Sequence, residues 1–159
     1  MNRRQNVKFI LDQYLEARRM KKTPERYAVL SAIFDFDGLF SIEELDSHLC
    51  DKYIKISRAT LYSVLKIFIQ ARLVVRHMFP HGTFYETENK AKSYCHQVCS
   101  VCGKVSEFTD AEINSAIENT KLKRFRKEGF SLYIYGVCST CQSRISRQMN
   151  NGKKRTDRK

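Results

Sequence analysis

Two short cysteine motifs carry the clearest chemistry in this 159-residue chain. Cys99-Ser-Val-Cys102 and Cys138-Ser-Thr-Cys141 are both Cys-x-x-Cys pairs, and 35 residues lie between them. A Cys-x-x-Cys turn can bring both sulfurs onto one ion, and two such turns supply the four thiolates of a tetrahedral zinc site. Gly103 suits the tight turn after the second sulfur. Four thiolates leave no coordination position for water, so such a zinc is structural and not catalytic. The stretch between the pairs is longer than a simple ribbon loop and is expected to hold a strand, a helix and a strand. The competing readings are two unrelated redox pairs, free thiols, or an iron–sulfur cluster. Cys50 falls beside an apolar helix face and reads as a buried free thiol. Cys95 reads as more open, in a polar stretch beside His96.

The six cysteines follow no secretory signal, because the basic start Met1-Asn2-Arg3-Arg4-Gln5-Asn6 leads into no long apolar run. The expected location is cytoplasmic, where thiols stay reduced and bind metal in preference to forming a disulfide framework. Apolar runs of only a few residues predict no membrane span and no membrane partner. An apolar fraction of 42% is that of a folded chain, and the length suits one domain or two small ones. The formal net charge of +12 favours a polyanionic partner. Residues 1–90 hold 15 basic and 11 acidic side chains and residues 91–159 hold 14 and 6, so total charge alone does not place a nucleic-acid surface. The basic residues cluster at Arg18, Arg19, Lys21 and Lys22, again at Lys121, Lys123, Arg124, Arg126 and Lys127, and in Lys153-Lys154-Arg155.

The elements that must position these residues follow from periodicity. Val7, Ile10, Leu11, Tyr14 and Leu15 mark one face of a helix over 3–20. Thr23-Pro24-Glu25 starts a second helix, with Tyr27, Leu30, Ile33 and Phe34 inward and Asp37-Gly38 as its stop. Ser41-Ile-Glu-Glu44 has the pattern of a capping box and opens a third, with Ile42, Leu45 and Leu49 inward. A fourth runs from Ser57 to about 70, burying Leu61, Val64, Leu65 and Phe68. The period then changes. Residues 73–79 and 83–87 are β-rich around the turn Pro80-His81-Gly82, a hairpin. Helices followed directly by a hairpin suggest a winged helix-turn-helix, whose last helix enters the DNA major groove. Residues 89–94 read as a polar linker. Beyond it lie a β-rich stretch over 98–108, a helix from Asp110 to about 125 with Ile113, Ala116 and Ile117 inward, an alternating strand over 130–135, and a short helix after Cys141. From Asn150 the composition reads as a basic disordered tail.

Four segments of the chain resemble the ferric uptake regulator family of bacterial transcription repressors. They are Thr23-Pro-Glu-Arg26, Ser57-Arg-Ala-Thr-Leu-Tyr-Ser-Val-Leu65, His96-Gln-Val-Cys99-Ser-Val-Cys102-Gly-Lys-Val-Ser-Glu-Phe108 and Tyr133-Ile-Tyr-Gly-Val-Cys138. The match covers about residues 8–142. It implies an α+β fold: a winged-helix DNA-binding domain over 1–88, the linker, a small α/β dimerisation domain over 95–149 held by the four-cysteine zinc site, and the tail over 150–159. It also implies a homodimer on a pseudo-palindromic double-stranded operator. By position, the resemblance carries DNA contacts over to Lys21 in the minor groove, Arg26 near the phosphates, and Ser57, Arg58, Thr60 and Tyr62 on the recognition helix. Tyr62 matches a tyrosine that packs on thymine. Ser63 stands where relatives usually carry an arginine able to donate to guanine. Arg58 stands where they are usually apolar.

Relatives also hold a regulatory divalent metal with His and Glu side chains. Glu86, His96 and Glu107 match three of those ligands, whereas Leu39 and Tyr94 stand where two family histidines would. A further family metal site aligns with Ser93, Cys95, Asn114 and Phe130, none of them its usual ligand. One imidazole and two carboxylates are few ligands for tight binding, so a second divalent metal is expected to be weakly held, with Tyr94 and Cys95 as candidate substitutes. The main expectation is a homodimeric repressor with structural zinc and altered metal sensing. The alternatives are a conventional iron-, zinc- or peroxide-responsive sensor and a haem-responsive regulator using Cys95-His96 or Tyr94, though no cysteine precedes a proline. A zinc enzyme is opposed by the complete set of four cysteines.

Overall fold

The computed structural model describes residues 3–87, 94–127 and 129–156. The backbone divides into two units, Met1–Asn89 and Lys90–Lys159.

In the first unit the expected helical faces become one core. Helix α1 (Arg3–Ala17) buries Leu11 and Leu15 and packs Val7, Ile10 and Tyr14 beside them. Helix α2 (Pro24–Ile33) places Pro24 where its missing N–H costs no bond, and buries Val29, Leu30, Ala32 and Ile33. Thr23 holds the cap position in extended conformation but makes no side-chain cap bond. Gly38 follows at φ +99°, a conformation that favours glycine. Helix α3 (Ile42–Asp51) forms the expected capping box: the Glu44 N–H donates to Ser41 Oγ at 3.2 Å and the Ser41 N–H donates to Glu44 Oε2 at 2.7 Å. Cys50, on the outer side of α3, is exposed and not buried as the sequence suggested.

Helix α4 (Arg58–Gln70) is capped by Ser57, whose Oγ accepts from the Thr60 N–H at 3.1 Å. Leu61, Val64, Leu65, Ile67 and Phe68 line its inner face. Burial of each such side chain contributes about 1.5–3 kcal/mol, which fixes which face is left for solvent. Strands β1 (Val74–Phe79) and β2 (Gly82–Thr87) form the antiparallel wing, in register from Val74↔Thr87 to Phe79↔Gly82. Phe40 and Tyr85 exchange backbone bonds of 2.8 and 2.7 Å, tying the segment before α3 to the wing.

The second unit is a three-stranded sheet of order β4-β3-β5. Strand β3 (Tyr94–Cys99) pairs antiparallel with β4 (Val105–Glu107) and parallel with β5 (Ser131–Gly136). Helix α5 (Ala111–Asn119) makes the crossover, capped by Asp110 accepting from the Ile113 N–H at 2.9 Å. It ends six residues before the expected position because Thr120 turns to extended backbone, and Lys127 Nζ donates to the terminal carbonyls of Ile117 and Glu118 at 2.7 and 2.6 Å. Helix α6 (Ser139–Thr156) corrects the expectation of a disordered tail from Asn150. The stretch contains no proline to break the helix. Of the expected linker, 89–93 lies outside the described residues, and Tyr94 belongs to β3. Among the described residues no helix is long and apolar enough to cross a membrane.

Candidate metal centre and nucleic-acid interface

The two Cys-x-x-Cys turns leave the same end of two neighbouring strands. β3 and β5 run parallel, and Cys99 at the end of β3 is in register with Gly136 at the end of β5. The first turn closes through Gly103, whose N–H donates to the Cys99 carbonyl at 2.8 Å with φ at +75°. The second runs into the first turn of α6, where the Gln142 N–H donates to the Cys138 carbonyl at 2.9 Å. Parallel pairing therefore brings all four sulfurs together, and their Sγ atoms lie within 4.8 Å of one another. Cys102 Sγ and Cys138 Sγ are 3.8 Å apart. Four sulfurs about 2.3 Å from one tetrahedral zinc stand about 3.8 Å from each other.

Electrostatics suit a cation. The Cys138 and Cys102 backbone N–H groups hold the Cys99 thiol down to about 5. Burial, reinforced by the neighbouring sulfurs, pushes the Cys141 thiol up to about 12. Four crowded thiols cannot all ionise without a positive charge among them, and a divalent ion removes that obstacle while releasing protons. Four thiolates on one zinc would leave no position for water, the arrangement of a structural centre.

The outer face of α4 is the candidate nucleic-acid surface. Tyr62 is 52% exposed, so its ring is presented outward and is not part of the core. Arg58 is exposed at the helix start and lies 3.5 Å from Asp46 and 3.7 Å from Glu43 of α3. Ser57 and Thr60 are engaged in the cap, with their hydroxyls 2.8 Å apart. The Ser63 hydroxyl donates back to the Ala59 carbonyl at 2.9 Å, so it does not replace a long outward donor. Lys66, one turn beyond Tyr62, is exposed on the same face. Sequence matching passed over it, and its exposure in the folded unit is what marks it. Lys21 is exposed in the segment before α2, and its carbonyl accepts from Arg26 Nη1.

The regulatory candidates divide between the units. Glu86, on β2 of the first unit, is buried. In the second unit His96 and Glu107 are register partners across β3 and β4, and so share a face. His96 is buried and stacks on Tyr133 at 5.9 Å, while Glu107 is exposed. Cys95 is buried, correcting the expectation of an open thiol. Side chains alternate along a strand, so Cys95 and His96 point to opposite faces of the sheet and do not offer two ligands to one metal or haem. The Tyr94 side chain and Ser93 lie outside the described residues. His77, which sequence reasoning did not single out, is fully buried on β1 beside Glu86. The signal was available in principle, since a histidine on the inward phase of a strand is an uncommon core residue.

Comparison with known proteins agrees with this arrangement. The model of the ferric uptake regulator family matches residues 17–135. A ferric uptake regulation protein of Neisseria meningitidis serogroup A is 35% identical over 108 residues, covering 67% of this chain and 75% of the relative. The crystal structure of the Vibrio cholerae ferric uptake regulator is similar at 33% identity and a TM-score of 0.59, covering 80% of this chain and 98% of that one. The ferric uptake regulator from Pseudomonas aeruginosa, solved with manganese, is similar at 29% identity and a TM-score of 0.68, covering 80% and 97%.

Proposed function

The chain belongs to the ferric uptake regulator family, whose members are transcription regulators and not enzymes, and on that premise we propose that it is a homodimeric, zinc-stapled repressor with a weakened response to a second metal. The observation that carries this reading is the outer face of α4: Tyr62, Arg58 and Lys66 stand in solvent on a helix whose other face is core, with the β1–β2 wing following directly. A helix so mounted reads major-groove base edges, while neighbouring cations hold phosphates. Lys21 and Arg26 are the minor-groove and phosphate candidates, and Ser57 and Thr60 act through the cap that sets the helix start.

Dimerisation is supported by the second unit. Among the described residues β5 is an edge strand with Ile134 and Tyr135 exposed, Val137 directly after it is exposed, and so are Leu122, Phe125 and Ile145 of the same unit. An open edge flanked by apolar side chains suits pairing with a second copy about a two-fold axis. Two copies then present two recognition helices to a pseudo-palindromic duplex. Zinc in the four cysteines belongs to a reducing cytoplasm, where the thiolates persist.

The weakened response follows from ligand number. An effector shifts operator affinity only by its difference in affinity for the two states of the protein. Leu39 offers no donor atom, and Cys95 faces away from His96. A second reading, a fully metal-responsive regulator, is favoured by the His96–Glu107 pairing and by manganese in the P. aeruginosa relative.

The test selects a duplex operator from a random pool with the zinc-loaded protein, then measures its affinity with and without excess iron(II), manganese(II) or zinc(II). The expected result is specific binding lost in Tyr62→Ala and less than a tenfold change on adding metal. Unselective binding in wild type sinks the regulator reading. A shift of about tenfold or more that His96→Ala abolishes, roughly 1.4 kcal/mol of coupling, replaces the weakened response by the second reading.

A further inference from the structure

Two ligand-type side chains meet inside the wing. His77 on β1 has Phe84 as its register partner, and Glu86 on β2 has Val75. The two residues are therefore diagonal neighbours on one face of the hairpin. His77 Nε2 lies 3.3 Å from Glu86 Oε2, and the side chains are 0% and 4% exposed. A charge-assisted bond between imidazole and carboxylate closes to about 2.7–2.9 Å. Two donor atoms each about 2.1 Å from one cation, at angles between about 90° and 109°, stand about 3.0–3.4 Å apart. At 3.3 Å the two side chains stand as an ion pair, and the same spacing suits two ligands of one cation.

The surroundings hold the pair in place. The His77 ring stacks on Phe79 at 5.9 Å with the planes 2° apart, and Phe79 in turn meets Phe84 at 5.8 Å. The imidazole plane is thus set by packing. The antiparallel bridge between Phe40 and Tyr85 places Leu39 beside Glu86 along the backbone. The leucine side of Glu86 brings no donor atom, and the His77 side brings an imidazole nitrogen.

We propose that His77 and Glu86 form a divalent-metal-binding pair in the wing, with His77 Nε2 and Glu86 Oε2 as ligand atoms. Nitrogen with oxygen is a donor set for zinc, manganese, iron or cobalt, whereas magnesium and calcium favour oxygen alone. Two protein ligands bind modestly, with water in the remaining positions. The inference rests on the reading of Glu86 as a metal ligand and adds an imidazole on the wing itself.

The experiment uses the full-length protein with zinc already on its cysteines and cobalt(II) alone as the probe. Cobalt affinity is measured by equilibrium dialysis, and coordinated imidazole by hyperfine-shifted exchangeable N–H signals in proton NMR. His77→Gln is expected to weaken cobalt binding tenfold or more and to delete one shifted N–H signal. Glu86→Gln, close to isosteric, is expected to weaken binding similarly and keeps the hairpin testable if His77→Gln does not fold. Melting of the zinc-loaded, cobalt-free protein reports folding of both variants. No cobalt bound by wild type beyond the zinc overturns the pair. So does unchanged affinity and spectrum in His77→Gln, and a fall in cobalt-free melting alongside would mark His77 as structural. Loss in His77→Gln but not in Glu86→Gln removes Glu86 as a ligand and with it the underlying reading. Operator affinity enters none of these readouts, so a regulator that ignores metal leaves the outcome intact.

Discussion

Stripping zinc from the four cysteines should unfold the second unit and leave the first folded. Among the described residues of the second unit the buried side chains are Cys95, His96, Val98, Cys99 and Cys141, and of these only Val98 is a plain aliphatic. Burial of one valine contributes about 1.5–3 kcal/mol. Ordering a single residue's backbone costs about 1–2 kcal/mol. No residue of α5 is fully buried, so the crossover helix adds little to that count. Against this, a structural zinc on a small domain contributes about 10–16 kcal/mol at neutral pH. On the proposed reading, the metal and a second copy would therefore stabilise this unit more than its own apolar core does. Divided over four ligands, the loss of one thiolate lowers zinc affinity by roughly a hundredfold. The damage should differ by position. Cys102 is exposed, so water can take its place in Cys102→Ser, whereas Cys141 is buried and Cys141→Ser leaves a hydroxyl in a site built for sulfur. Zinc competition against a chromogenic chelator gives the affinities, and sedimentation velocity gives the dimer. Metal-free protein that stays dimeric, with amide protection intact over β3 and β5, would refute the reasoning. Equal affinity for Cys102→Ser and Cys141→Ser would refute the positional part.

Two further outcomes follow from the first unit. Arg58→Ala should cost about 1–3 kcal/mol at a selected operator if the side chain reads a base, and should instead lower the salt slope by about one if it holds a phosphate; filter binding across salt concentrations separates the two. Phe68→Ala, at a fully buried position of α4, should destabilise the unit by about 3–5 kcal/mol in urea unfolding, and a loss below about 1 kcal/mol would mean that the core is not organised around α4.

The first unit was largely legible because its signals are local. Ser41 and Glu44 state a cap in four residues, and the spacing of Leu61, Val64, Leu65 and Phe68 states which face of α4 is inward. The cysteine cluster was legible too, since Cys-x-x-Cys closes on itself. What spacing could not show was exposure and face. Cys50 and Cys95 were each assigned the wrong burial, because a short apolar neighbourhood does not reveal which side of an element meets the core. Sequence matching attended to Glu86 and passed over His77, because residues nine apart become neighbours only through the register of the hairpin. The end of α5 depended on Thr120, and α6 ran on through a polar stretch where local propensity is weak.

The chain separates positions that hold it from positions that read. Tyr62 and Ser63 stand on the outer face of α4, where a substitution away from a cap or core changes stability within about 0.5 kcal/mol. A serine where an arginine would contact guanine therefore alters what the helix recognises and leaves the helix standing, because Leu61, Val64 and Phe68 carry the packing. Leu39 is similar, since a half-buried leucine removes a ligand and keeps apolar contact. Cys141 and Phe68 have no such freedom: each is buried, and each anchors the unit around it. Operator and effector specificity can drift at little cost in folding, while the zinc turns and the α4 core cannot. His77 breaks this division, because it is buried like a core residue yet presents a ligand nitrogen. Its proposed role in the wing would make folding and metal chemistry depend on the same side chain.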